Sequence, residues 1–177
     1  MAIYSKKKIL QLLKESDEAP NSDIKGDKLE ELVRYLFEKV PNVSFFAKNI
    51  IDSNRAQEID VVFWNLPFSA IHFLDTVLIT ECKNTAEPIG SNDVGWFVRK
   101  LQDKAAQTGI IISLNGITGS ANGERNAHSE IRSAIVRDRI AILLITRDEI
   151  LQLNNTNDLA AILKNKYLKL KLQQTVV

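Results

Sequence analysis

The sequence predicts an α/β fold in which a mixed sheet of four or five strands is flanked by helices on both faces. Two observations support this fold class. Apolar residues have helical spacing before residue 41, strand-like spacing over residues 43–83, and then alternate between helical stretches and two short apolar runs. The resulting order, α, β-β-β, α, β, α, β, α, favours antiparallel pairing on one side of the sheet and parallel pairing on the other.

Helices are expected ahead of the strands. Residues 5–15 have helical spacing, and residues 18–25 read as a polar linker. The next helix carries apolar residues at i, i+3, i+4, i+7, i+8 and i+11, which form one stripe. These residues are Leu29, Leu32, Val33, Leu36, Phe37 and Val40. Pro41 and Asn42 end this helix.

Five strand-like segments follow the second helix. Three come in succession and are rich in β-branched residues: Val43–Ile51, Ile59–Trp64 and Phe73–Lys83. Two more, Ile110–Ile112 and Ile140–Ile145, are apolar without alternation, as expected of strands buried on both faces.

Further helices are expected around the last two strands. One begins at a cap formed by Ser91 or Asn92 and ends before Gly109. A loop over residues 115–123 leads into a second helix, over residues 122–137. The last two helices cover residues 147–153 and 158–172.

Length and composition bound the remaining possibilities. The chain has 177 residues, 45% hydrophobic and 25% charged, which suits one globular domain and excludes wholesale disorder. No apolar run is long enough to cross a bilayer, and no signal-peptide pattern opens the sequence. The single cysteine excludes an internal disulfide and a Cys-rich zinc site. We therefore expect a cytoplasmic protein without a membrane partner, whose net charge of +1 does not by itself indicate nucleic acid.

Charged residues occupy positions of the third strand that alternation assigns to the core. Glu81 and Lys83 share a face with Val77 and Ile79, because side chains alternate along a strand. Asp60 interrupts the preceding apolar strand, and a hairpin between the two strands places it roughly opposite Glu81. Facing carboxylates repel each other, and a hard divalent cation would turn that repulsion into a binding site.

Glu30 is a third acidic candidate, at the margin between core and solvent on the second helix. From there its carboxylate can reach over the sheet beside Asp60 and Glu81. Three carboxylates and a lysine suit metal-assisted hydrolysis of a phosphodiester. The carboxylates fix the cation, the cation polarises a phosphoryl oxygen and acidifies a water, and Lys83 orients or deprotonates that water.

Three segments carry a family resemblance. Lys25-Gly26-Asp27-Lys28-Leu29-Glu30, then Glu58-Ile59-Asp60, then Glu81-Cys82-Lys83-Asn84, resemble the motifs of the PD-(D/E)XK nuclease superfamily. Within it the chain is most similar to Mrr-type restriction endonucleases, with a weaker likeness to archaeal Holliday-junction resolvases. It departs from the pattern in having Ile59 in place of the proline, and Arg55-Ala56-Gln57-Glu58 where Mrr-type enzymes often have glycines.

The resemblance implies a restriction-endonuclease-like core and a site for Mg²⁺, for which Mn²⁺ can substitute. Carried over, Asp60 and Glu81 bind the cation, Cys82 contributes only its backbone carbonyl, and Lys83 assists the water. Glu30 holds or tunes the metal site. We expect three segments in the chain: an N-terminal helix and linker (1–24), the nuclease core (25–153) and a C-terminal helical extension (154–177).

Candidate DNA contacts come from the helix after the third strand and from the loop before Asp60. Phosphate-binding candidates are Arg55, Arg99, Lys100 and Lys104, and Trp96 is placed to stack on a base or to contact a second subunit. We expect the Cys82 thiol to be a buried packing group. His72 and His128 are expected at the surface, since neither has metal-ligand spacing to its neighbours.

The first hypothesis is a Mg²⁺-dependent endodeoxyribonuclease of restriction or repair type. Such a small core has little surface for reading bases, so we expect a homodimer or a partner chain that supplies specificity. The alternative is a catalytically inactive nucleic-acid-binding or assembly module that retains the fold. An RNA-directed nuclease also stays open, because the motifs act on the phosphodiester and not on the sugar.

Overall fold

The computed structural model describes residues 1–52, 57–119 and 126–174. Within these residues it contains one five-stranded sheet and six α-helices. The strands are β1 (Val43–Ile51), β2 (Glu58–Asn65), β3 (Val77–Lys83), β4 (Thr108–Ser113) and β5 (Ala141–Ile145). The helices are α1 (Lys6–Asp17), α2 (Ser22–Glu38), α3 (Ser91–Asp103), α4 (Ala127–Ser133), α5 (Arg147–Gln152) and α6 (Thr156–Gln173).

The sheet has the mixed topology that the sequence predicts. Its strands lie in chain order, with β1, β2 and β3 antiparallel and β3, β4 and β5 parallel. Every residue of β4 and β5 is buried, which explains the apolar runs Ile110–Ile112 and Ala141–Ile145 within them. The predicted α/β class, with a mixed sheet of up to five strands, is confirmed.

Helix α2 covers one face of the antiparallel half of the sheet. Its apolar stripe is buried, and the Phe37 ring stacks on Phe63 of β2 with ring centroids 5.1 Å apart. The helix begins earlier than predicted, because Asn21 accepts a hydrogen bond from the Ile24 N–H at 2.9 Å and caps it. Residues 22–25 are therefore helical and do not belong to the expected linker.

Helix α3 lies on the opposite face, close to β4. A Cβ atom on Gly109 would come within 2.6 Å of Leu101 Cδ1 and 2.8 Å of Phe97 Cε1, so only glycine allows this approach. The predicted cap at Ser91 or Asn92 is wrong. The cap is Gly90, whose N–H donates to the Asp93 carboxylate at 3.1 Å.

The predicted helix over residues 122–137 is less regular than expected from residue 126 onward, and residues 122–125 lie outside the described residues. Asn126 caps α4, which passes at its end into a π-helical turn, Ala134–Asp138. Arg139 follows in the left-handed region at φ 62°. His128 is buried in α4 and is not the surface residue that we expected, because the helix turns it toward the core beside Ala127 and Ile131. His72 is exposed, as expected.

The terminal helices pack on the same core. The Tyr4 hydroxyl donates to the Leu36 carbonyl at 2.8 Å and joins the start of the chain to α2. Helix α6 contacts β5, and the buried side chains of Leu159, Leu163 and Leu170 face inward. The segment limits at residues 24 and 153 stay predictions. No helix among the described residues has the length and apolar character needed to span a membrane.

Candidate active site

The β2–β3 hairpin brings two acidic residues to facing positions. Val61 pairs with Thr80, and continuing this antiparallel register by one residue places Asp60 opposite Glu81. Both side chains lie on the face of the sheet that α3 covers, since they alternate with Val61 and Thr80 on the α2 face. This is the arrangement that the alternation of the sequence predicted.

The Asp60 carboxylate bridges the two strands. Its Oδ2 atom accepts a hydrogen bond from the backbone N–H of Cys82 at 2.7 Å. Burial, followed by the negative charge of Glu81, raises the pKa of Asp60 from 3.8 to about 6. The hydrogen bond and the charges of Lys100 and Lys83 oppose this rise. Asp60 thus lies in a position that favours a further positive charge.

Glu81 is buried, and each of its carboxylate oxygens has a lysine partner. Lys83 Nζ lies 3.0 Å from Oε1, and Lys100 Nζ lies 2.7 Å from Oε2. Lys83 is on the same face of β3, two residues further along the strand, whereas Lys100 reaches across from α3. The carboxylate is therefore fixed from two directions.

The ammonium group of Lys83 is stabilised in its charged form. Burial acts against the charge, but the charge and hydrogen bond of Glu81, together with the charges of Asp60 and Asp93, outweigh it, so the pKa of Lys83 is raised. In its charged form Lys83 is a hydrogen-bond donor, and its part in orienting or deprotonating a water stays a prediction.

Cys82 contributes to the site through its backbone. Its thiol is buried on the α2 face, away from the Glu81 side chain, and burial raises the pKa of that thiol. The N–H and the carbonyl of one strand residue point to the same edge, so the Cys82 carbonyl faces β2 along with the N–H that Asp60 binds. The carbonyl is thus on the side where Asp60 lies.

Glu30 makes its direct contacts outside this cluster. Its carboxylate is buried instead of lying at the margin of the core, and Oε2 is 3.4 Å from Lys48 Nζ of β1. In the amide orientation that satisfies both groups, Asn49 Nδ2 donates to both Glu30 oxygens at 3.3 Å. Burial raises the pKa of Glu30, and Lys48 opposes the rise.

Glu30 is nevertheless electrostatically connected to the hairpin. After burial, the charges of Asp60, Glu30 and Glu81 all raise the pKa of the Cys82 thiol on the α2 face. Asp60 thus contacts the backbone of β3 at Cys82, Lys83 contacts Glu81 on the same strand, and Glu30 pairs with Lys48.

The oxygen donors of the site suit a hard divalent cation that needs only a few protein ligands. Among the described residues, no group of three or more His, Cys, Asp or Glu side chains is arranged to hold a metal. Mg²⁺ does not require such a cage, because it commonly uses one or two carboxylates together with waters and substrate phosphates. Asp60 and Glu81, with the Cys82 carbonyl, supply oxygen donors, and burial together with the charge of Glu81 raises the pKa of Asp60.

The sequence did not predict that Lys100 contacts Glu81 inside the site. It was counted among the phosphate-binding candidates of the helix, but its side chain is only 14% exposed and contacts Glu81. A signal was present in the sequence, since Lys100 immediately precedes the buried Leu101 and follows the buried Phe97 by three positions. It therefore borders the core stripe of α3.

The other DNA-binding candidates lie further out. Trp96 is 58% exposed, and the Arg99 guanidinium carbon is 5.0 Å from the centroid of its ring. Lys104, at the end of α3, lies 3.9 Å from Asp52. Arg55 lies outside the described residues. Trp96 and Arg99 thus form an exposed pair on the side of α3 that faces away from the core.

One comparison with known proteins identifies a family. A family model described as restriction endonuclease, Mrr_cat, matches residues 22–154, which is more than half of the chain and includes Asp60, Glu81 and Lys83. No curated protein matches the chain.

Proposed function

The chain belongs to the Mrr_cat family of restriction endonucleases, and from this membership and the site geometry we propose that it is a divalent-cation-dependent endonuclease that hydrolyses DNA phosphodiesters. The observation that carries the proposal is the hairpin in which Asp60 faces Glu81 while Lys83 contacts Glu81 at 3.0 Å. A buried carboxylate facing a half-buried one across a hairpin is costly for stability, and binding a cation would offset that cost.

The residues have separate roles in this proposal. Asp60, Glu81 and the Cys82 carbonyl would hold the cation, and Glu30 tunes the charge around them from the neighbouring cluster. A bound Mg²⁺, or Mn²⁺ in its place, supplies Lewis-acid activation of the phosphoryl group and of a water. Lys83 donates hydrogen bonds that orient the attacking water and one phosphate oxygen, since Glu81 keeps it charged.

DNA binding would use the outer side of α3. Arg99, Lys104 and Arg55 are proposed to contact phosphates, which gives affinity but little sequence reading. Trp96 offers an exposed ring for stacking on a base. Because phosphate contacts carry little sequence information and the core is small, we expect specificity to come from a second copy of the chain or from a partner protein.

Plasmid cleavage tests the proposal. Supercoiled plasmid is incubated with the protein and Mg²⁺, Mn²⁺ or EDTA, beside a labelled RNA of the same sequence. We expect nicked or linear plasmid with either metal, intact plasmid with EDTA, and intact RNA. Cleavage that persists in EDTA would contradict the proposed metal dependence. Cleavage of the RNA alone would contradict DNA as the substrate.

The alternative, a catalytically inactive nucleic-acid-binding module, predicts a different experimental result. Binding of DNA in a gel-shift assay, with no cleavage of supercoiled, linear or branched DNA in either metal, would favour that module over the enzyme. Asp60→Ala is the matched variant, since it should lose metal-dependent cleavage while keeping the fold.

A further inference from the structure

Glu81 binds two ammonium groups where the proposed mechanism uses one. The four buried or half-buried charges, Asp60, Glu81, Lys83 and Lys100, sum to zero when all are ionised. The Lys100 contact, at 2.7 Å, is shorter than the Lys83 contact at 3.0 Å, and the Lys100 side chain is the less exposed of the two, at 14% against 30%. Lys100 is therefore the more deeply placed lysine of the cluster.

The position of Lys100 resembles that of a bound cation. Its ammonium lies 2.7 Å from Glu81 Oε2, and its charge opposes the rise in the pKa of Asp60 more strongly than the charge of Lys83 does. It thus acts on both carboxylates of the hairpin. A divalent cation that bound these carboxylates would compete with Lys100 for the same oxygen and would repel its charge.

The two lysines differ in their freedom to move away. Lys83 is attached to β3 two residues from Glu81 and shares its face, so it stays beside that carboxylate. Lys100 approaches from α3, and its four-carbon side chain can swing without moving the strand. The same helix carries Trp96 and Arg99 on its exposed side. An ammonium that leaves Glu81 therefore enters the proposed path of the DNA backbone.

We propose that Lys100 is a second lysine of the active site, which holds Glu81 while no cation is bound and contacts a phosphate oxygen of DNA when a divalent cation takes its place. This inference rests on the proposed nuclease function. It assigns Lys100 as a positioning residue for Glu81 in the first state and as a substrate-binding residue in the second.

Calcium titration tests the first state without requiring catalysis. Isothermal titration of Ca²⁺ into wild type and Lys100→Met should show about tenfold tighter binding by the variant, because the competing ammonium is gone. Lys100→Arg keeps the charge and should bind Ca²⁺ no more tightly than wild type. Lys166→Met is the matched control. Lys166 is also little exposed, at 11%, and its Nζ lies 2.8 Å from a carboxylate oxygen of Glu149, a residue outside the candidate site.

DNA binding in Ca²⁺ tests the second state. The affinity for a duplex is measured over a range of salt concentrations, and Lys100→Met should reduce the slope of log K against log salt by about one. The Lys166→Met control should leave the slope unchanged. Thermal unfolding of each variant in EDTA checks that it is folded before either titration is interpreted.

The outcomes separate this inference from the proposed function. A wild type that cleaves DNA, together with a folded Lys100→Met that keeps wild-type calcium affinity or the full salt slope, overturns the role of Lys100 alone. A wild type that binds no divalent cation and cleaves nothing overturns both. Tighter calcium binding and a reduced salt slope in Lys100→Met support the assignment.

Discussion

Asp60 Oδ2 accepts a hydrogen bond from the backbone N–H of Cys82 at 2.7 Å, so an acidic side chain of β2 binds the backbone of β3. The bond holds the Asp60 carboxylate against the strand residue that follows Glu81. It also opposes the rise in the pKa of Asp60 that burial and Glu81 cause. The carboxylate is therefore held in place in a position that costs stability.

Neutralising Asp60 should stabilise the cation-free protein at neutral pH. The folded pKa is about 6 and the reference value is 3.8, so between these values the folded state binds more protons than the unfolded state. Wild type should lose stability as the pH rises through this window, whereas Asp60→Asn should not. In EDTA at about pH 7.5 we expect Asp60→Asn to be more stable by about 1–3 kcal/mol.

Urea unfolding across the pH range measures this difference. The advantage of Asp60→Asn should shrink steadily below about pH 6, where the wild-type carboxyl takes up its proton. A variant that is less stable than wild type at neutral pH, or an advantage that grows in acid, would contradict the environment described for Asp60.

Removing the Cys82 thiol should leave cleavage intact. The thiol is buried on the α2 face, and only the backbone of Cys82 reaches Asp60. We expect Cys82→Ala to cleave plasmid at a rate within about twofold of wild type and to lose about 1 kcal/mol of stability. A folded Cys82→Ala without activity would instead give the thiol a part in the chemistry.

A side chain at Gly109 should disturb the packing that brings α3 to the sheet. The added Cβ would meet Leu101 and Phe97 at 2.6 and 2.8 Å, so Gly109→Ala should destabilise the protein by about 1–3 kcal/mol. Gly26→Ala is the control, because nothing lies within 4 Å of a Cβ there and Gly26 is inside α2. That change should stabilise by about 0.5–1 kcal/mol. Equal midpoints for both variants in urea unfolding would refute the close approach.

Trp96 should contribute to DNA affinity, and Trp64 should not. Both rings are exposed, at 58% and 47%, but only Trp96 lies on α3 beside Arg99. Loss of a stacking ring in Trp96→Ala should weaken binding by about 1–3 kcal/mol, measured by fluorescence anisotropy of labelled DNA in Ca²⁺. If Trp64→Ala weakens binding as much as Trp96→Ala does, the outer side of α3 is not the DNA contact.

Local patterns were enough to predict the hairpin half of the site. Alternation along β2 and β3 determines which side chains share a face, and a hairpin between the two strands then places Asp60 opposite Glu81. The five strands and their mixed pairing follow in the same way from the order of apolar segments.

The contacts that sequence reasoning missed depend on how separate elements pack. Lys100 reaches Glu81 only because Gly109 lets α3 approach β4, and neither distance is encoded in a local pattern. Glu30 meets Lys48 across α2 and β1, where the β1–β2 register shifts between residues 45 and 47. A one-residue shift of this kind moves side chains from one face of the sheet to the other, and the alternation of the sequence does not reveal it.

Two charge-neutralising changes on β2 test whether the active site lies in this hairpin. Asp60→Asn removes the proposed cation ligand, whereas Glu58→Gln, two residues earlier on the same strand, changes an exposed carboxylate. Single-turnover plasmid cleavage with Mg²⁺ should fall at least about a hundredfold in Asp60→Asn and stay near the wild-type rate in Glu58→Gln. Wild-type cleavage by a folded Asp60→Asn would contradict the assignment of the active site to this hairpin.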